Sequence, residues 1–160
     1  MRYQIRLAFS AVSLTLLLLL LSASTAAQVP GLKNPSPELV GQLTKSLSIK
    51  PEQAIGGAGA IFGLTKTRLK PDEFGQIAKV VPGMDGLLGA APKPKEGSMD
   101  VASMASMIPG KYGRLAQVAG AFQSLGLSPS MAAKFVPVMS KFVQVKGGDK
   151  VAGLLTGALK

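Results

Sequence analysis

Few residues in this 160-residue chain have side chains that could carry chemistry, because it has no His, no Cys and no Trp. Without His, the commonest general base and metal ligand is missing. Asp72 and Glu73 are adjacent carboxylates, but neighbours on a helix diverge by about 100° and do not converge on one substrate atom. Their place in a first helical turn, where negative charge meets the positive end of the helix dipole, explains them better. Ser130 and Lys134 are four positions apart and would share a helix face. A serine–lysine hydrolase also needs that lysine desolvated and an oxyanion hole nearby, and an exposed helix start offers neither. The 8 acidic residues are scattered and form no calcium loop. No glycine-rich phosphate loop ends in Gly-Lys-Ser/Thr. The sequence therefore implies no catalytic residue, no cofactor and no metal, and points away from an enzyme.

Two groups remain as candidates for helix packing or partner contact. Gly56, Gly59 and Gly63, with Gly57 among them, lie in one segment. Each glycine costs about 1 kcal/mol inside a helix relative to alanine, so the cluster needs a reason, and close approach of a second helix supplies one. The uncharged run around them, residues 54–65, is too short to span a bilayer. Met131, Phe135, Met139 and Phe142 form a second group at helical spacing, with Val138 and Val145 expected on the same side and Lys134 and Lys141 opposite. Met99, Met104 and Met107 precede them, and flexible thioethers suit irregular cores and adaptable grooves alike. Nucleic acid is a poor fit as a partner, since only Tyr112 and scattered Phe could stack on bases.

These residues must be held by helices, because almost no segment alternates as a strand would. Leu39, Val40, Leu43 and Leu47 mark a first apolar face. Pro51 and Pro71 suit first helical positions, opening helices with Ala54, Ile55, Ala58, Ile61 and Phe62, then Phe74, Ile77, Ala78 and Val81, on their inner faces. A short helix is expected over 84–89, a Met-rich one over 98–107 and another over 112–125. Ser128-Pro129 reads as the start of a longer helix that Pro137 should kink or interrupt. Gly147-Gly148 ends it, and Asp149 caps a last helix with Val151, Leu154, Leu155 and Ala158 inward. The fold class is all-α, a compact bundle of about seven short helices.

An internal echo runs at an offset of 78, matching Ser46-Leu47-Ser48-Ile49-Lys50-Pro51 and Ala54 to Ser124-Leu125-Gly126-Leu127-Ser128-Pro129 and Ala132. With one residue deleted, Asp72, Phe74 and Ile77 fall over Asp149, Val151 and Leu154. A looser echo joins Val81-Pro82-Gly83 to Ile108-Pro109-Gly110. Two readings stay open: a duplicated helix-turn-helix unit about a pseudo-two-fold axis, or chance likeness between amphipathic helices.

Residues 1–27 address the chain rather than build it. Arg2 and Arg6 precede an apolar run from Leu7 to Leu21, and Ser24-Thr25-Ala26-Ala27 follow as small residues. That order is a secretory signal peptide, and its apolar run falls short of the roughly 20 residues of a spanning helix. Cleavage and export to the periplasm or cell exterior are expected, with an uncleaved inner-membrane anchor as the alternative. No cysteine follows to carry a lipid. Residues 28–37 read as an extended linker and 38–160 as the helical domain. That domain divides into 38–90, a Pro- and Lys-containing loop over 91–98, and 99–160. Beyond residue 27 the net charge is near +8, spread as single lysines.

The segment from Leu39 to Pro92 resembles the VcgC/VcgE-type family of exported bacterial proteins, a domain of unknown function. The resemblance rests on Leu43-Thr44, Pro51-Glu52-Gln53-Ala54, Gly56-Gly57 and Gly59-Ala60. It continues through Phe74, Ile77-Ala78, Val81-Pro82-Gly83-Met84-Asp85 and Leu87-Leu88-Gly89-Ala90, and more weakly through Ala119 to Leu159. It implies an all-helical fold and brings no activity, cofactor or catalytic residue. Residues and resemblance together lead to one expectation, a non-catalytic binding protein of the envelope or periplasm. Its partner would be another envelope protein or a second copy of itself. The alternative is a peripheral binder of anionic lipid working through basic amphipathic helices.

Overall fold

The computed structural model describes residues 35–92 and 113–160. The expected signal peptide, most of the linker and of the 91–98 loop, the Met99–Met107 helix and the Ile108-Pro109-Gly110 echo lie outside them. Among the described residues there are six α-helices, one 3-10 turn and no strand, an all-α fold with a helix count close to the seven expected. In chain order they are α1 (Pro37–Leu47), α2 (Pro51–Arg68), α3 (Pro71–Val80), α4 (Met84–Gly89), the 3-10 turn Gly113–Leu115, α5 (Ala116–Ser124) and α6 (Met131–Leu159).

The helix starts follow local chemistry. Three helices begin on proline, whose missing N–H costs nothing in a first turn. The backbone N–H of Lys50 donates to Gln53 Oε1 at 3.1 Å, and that of Lys70 to Glu73 Oε2 at 3.0 Å. Each is one arm of a capping box, and it gives Glu73 a structural task. The entry to α6 differs from the expectation of a first-turn proline: Ser128 and Pro129 form a turn, and the helix starts at Met131. There the Met131 N–H donates to the Ser128 carbonyl at 2.9 Å and the Ala132 N–H to that of Pro129 at 3.1 Å.

Helix α2 is the centre of the bundle. Residues 54–62, Leu64 and Thr65 are all buried, and α1, α4, α5 and α6 pack around it. The hydroxyl of Thr65 is satisfied by donating to the Ile61 carbonyl at 2.8 Å. The outer helices bury one stripe each, with Leu39, Val40 and Leu43 from α1 and Phe74 and Ile77 from α3.

Pro137 does not interrupt α6. The backbone stays helical through it, and the break falls at Gly148, with φ 80° and ψ 176°. Pro137 lies on the exposed side, where the carbonyl it leaves without a helical donor is not trapped in the core. Gly148 carries a conformation that side chains with a Cβ resist. Asp149, expected as a cap, accepts a hydrogen bond from Gln144 Nε2 at 2.6 Å across this break.

The internal echo extends into the packing. Ser48 and Gly126, which correspond, both end a helix in the left-handed region, at φ 53° and 71°. The buried positions Ala54, Gly57, Ala58, Ile61, Leu64 and Thr65 of α2 correspond to Ala132, Phe135, Val136, Met139, Phe142 and Val143 of α6, all buried as well. The Gly57–Phe135 pair is in direct contact across the two helices, since a Cβ on Gly57 would lie 2.7 Å from Phe135 Cε1. The second unit has glycine at its left-handed position and the first has serine. Ser48→Gly is therefore expected to stabilise the fold by about 1 kcal/mol, seen as a higher urea midpoint at unchanged slope. An unchanged or lower midpoint contradicts this account of the turn.

Candidate functional site

The glycine cluster works inside the molecule. A Cβ on Gly59 would sit 1.9 Å from the carbonyl oxygen of Leu87 and 3.2 Å from the amide nitrogen of Ala91. On Gly56 it would meet the Leu125 side chain at 2.7 Å and the Ala90 carbonyl oxygen at 3.4 Å. Gly59 lets the backbone of α4 lie against α2, and Gly56 leaves room for the Leu125 side chain. Gly63 stands apart from them, with nothing within 4 Å of where a Cβ would lie. Residues 54–65 are buried except for half-buried Gly63, so of the two expectations for this run the structure supports helix packing inside the molecule.

The Met/Phe group is likewise internal. Phe135, Met139 and Phe142 are 0, 0 and 2% exposed, and Met131 is partly buried against the core. Phe135 meets Phe122 edge to face, with ring centres 5.0 Å apart and planes at 79°, a favoured aromatic geometry. Val138 and Val145, expected beside them and opposite the lysines, instead share a side of the helix with Lys141, and Val145 is 75% exposed. The apolar area of the Met/Phe group closes the core rather than waiting for a partner. Ser130 donates to or accepts from the Ser128 hydroxyl at 2.9 Å, and Lys134 is exposed; the pair has no enclosed pocket.

The concavity the sequence did not mark lies between α1 and the first half of α6. It is an open groove of about 460 Å³, lined by Gln42 and Ser46 on one side and Pro137, Val138, Lys141 and Val145 on the other. The volume falls in the range of roughly 300–1,000 Å³ typical of ligand sites. One wall is polar and uncharged; the other is apolar with one ammonium group. Lys45 is an exposed α1 neighbour of Ser46, and Lys134 lies one heptad before Lys141 on α6. Lys146 Nζ pairs with Glu38 Oε2 at 2.7 Å and ties α6 to α1. With both partners well exposed, at 43 and 61%, this bridge contributes at most about 1 kcal/mol.

Other features carry less. Among the described residues no three His, Cys, Asp or Glu side chains come together, and no helix is long and apolar enough to cross a membrane. Ser36 Oγ is buried without a hydrogen-bond partner at the left-handed start of α1, and nothing in the structure explains it.

Fold and groove together define an all-helical protein with an open, amphipathic cleft. The chain belongs to the family described as protein of unknown function VcgC/VcgE, whose model matches residues 20–160. No curated protein and no solved structure matches it.

Proposed function

We propose that this chain is a non-catalytic binding protein, exported to the cell envelope or periplasm, that engages its partner through the α1/α6 groove. The observation that carries the reading is the groove itself. It is a concave surface with an apolar wall and a few polar groups, and among the described residues the other large apolar side chains are turned inward. The leader-like segment 1–27 supports an extracytoplasmic setting.

The reading is tested by placing a photo-crosslinking amino acid at Val145, and at exposed Lys66 on α2 as a control, in cells that are then fractionated. A discrete adduct from position 145 in an envelope or periplasmic fraction, absent from position 66, is the expected result. No adduct at 145, or the same adducts from both positions, removes the groove as the binding site. Recovery of the chain in the cytoplasm removes the compartment.

A further inference from the structure

We infer that the groove takes an amphipathic helix of a partner protein that carries acidic side chains at heptad spacing, an inference that rests on the groove being the binding site. Lys134, Val138, Lys141 and Val145 stand at i, i+4, i+7 and i+11 of α6. That spacing places them along one line of the helix, alternating cation and valine over about 16 Å, or three turns. The opposite bank is α1, with Gln42 and Ser46 in the groove and Lys45 beside them. Among the described residues the one ion pair is Lys146–Glu38, so Lys134, Lys141 and Lys45 form none there. A rod whose surface alternates apolar and acidic side chains with the same period matches both the spacing and the charge.

The same features weigh against other occupants. A second copy laid in the groove by its own α6 would set lysine against lysine, and like charges in contact are unfavourable. A flat anionic membrane would reach the lysines but would not follow the concave surface lined by Pro137 and Val138. Interfacial helices hold to bilayers through Trp, Phe and Leu buried about 5–10 Å deep. Here Phe135 and Phe142 point into the core, and Val145 is the one large apolar side chain strongly exposed among the described residues. Pro137 also leaves the Ala133 carbonyl without its helical donor, one turn back on the same side, as an acceptor for a partner's polar group.

The test is a titration of the nitrogen-15-labelled chain with two synthetic helices of about four turns, Ala-based with Leu and Glu alternating at heptad positions, or with Leu and Lys. The acidic peptide is expected to shift the amides of Gln42, Ser46, Val138, Lys141 and Val145, more weakly as salt rises. Lys134→Glu combined with Lys141→Glu, both at exposed positions, weakens the acidic peptide by about tenfold and gains binding to the Lys peptide. A merely structural role for the two lysines would not exchange the preference. No groove shifts, equal binding of both peptides, or failure of the charge swap overturns the inference. Co-sedimentation with phosphatidylglycerol vesicles without peptide binding overturns it in favour of a membrane. A crosslink at Val145 with no peptide binding overturns the occupant and leaves the groove standing, whereas no crosslink removes both.

Discussion

Gly59→Ala is expected to lower the free energy of unfolding by about 2–3 kcal/mol, and Gly63→Ala to raise it by about 0.5–1 kcal/mol, though both replace glycine in the same helix. The added methyl at 59 falls 1.9 Å from the Leu87 carbonyl oxygen and 2.9 Å from its carbon. Those are backbone atoms, and no rotamer change moves them away. Helix α4 must shift outward, and the loss outweighs the roughly 1 kcal/mol that alanine returns through helix propensity. At Gly63 nothing lies within 4 Å, so only the propensity gain and the stiffer unfolded chain remain. Urea titrations of the two variants beside the parent decide the matter. Equal shifts in one direction would mean that the α2–α4 approach does not limit side-chain size.

Phe135→Ala is expected to cost about 3–5 kcal/mol, the range for removing a fully buried phenyl ring. The ring is 0% exposed, stands edge-on to Phe122 at 5.0 Å and lies over Gly57. Its loss opens a cavity where α2 and α6 touch, and leaves Phe122 without its aromatic partner. Domains of this size are stable by about 5–15 kcal/mol, so the variant retains a fraction of the parent's stability. Unfolding followed by circular dichroism measures it. A cost below about 1 kcal/mol would show that neighbouring side chains collapse into the space, and that the Phe135 contact is not the keystone of the α2–α6 seam. Because Phe135 does not line the groove, peptide binding by the folded fraction is expected to persist.

What the residues revealed in advance, and what they hid, divides along the range of the interactions. Helix starts at Pro51 and Pro71 were legible because the proline and the capping side chains act within a single turn. The turn pair at Ser48 and Gly126 was legible as a repeat before its left-handed geometry was known. Pro137 misled because the effect of a proline depends on which face it occupies, and here it is the exposed one. Val145 misled for a related reason: it follows the periodicity of Phe135 and Phe142 loosely enough to be counted inward, but the helix turns it out. The glycines announced close approach without naming the neighbour, since the Leu87 carbonyl is far along the chain. The groove was hidden altogether. Its banks come from Gln42 and Ser46 on one side and Pro137 to Val145 on the other, and no local pattern reports that two outer faces have been brought side by side.

The place of α2 has a consequence for how the molecule assembles. The helix at the centre is the one with the least local reason to exist, since Gly56, Gly57, Gly59 and Gly63 together cost it about 3–4 kcal/mol of intrinsic helicity. It is held by neighbours that include Phe122, Leu125 and Phe135, which arrive from the far half of the chain. Part of its support, α1 and α4, comes from its own half of the chain, and part, α5 and α6, from the other. A helix that needs both halves ties folding speed to long-range contacts and joins the bundle into one cooperative unit.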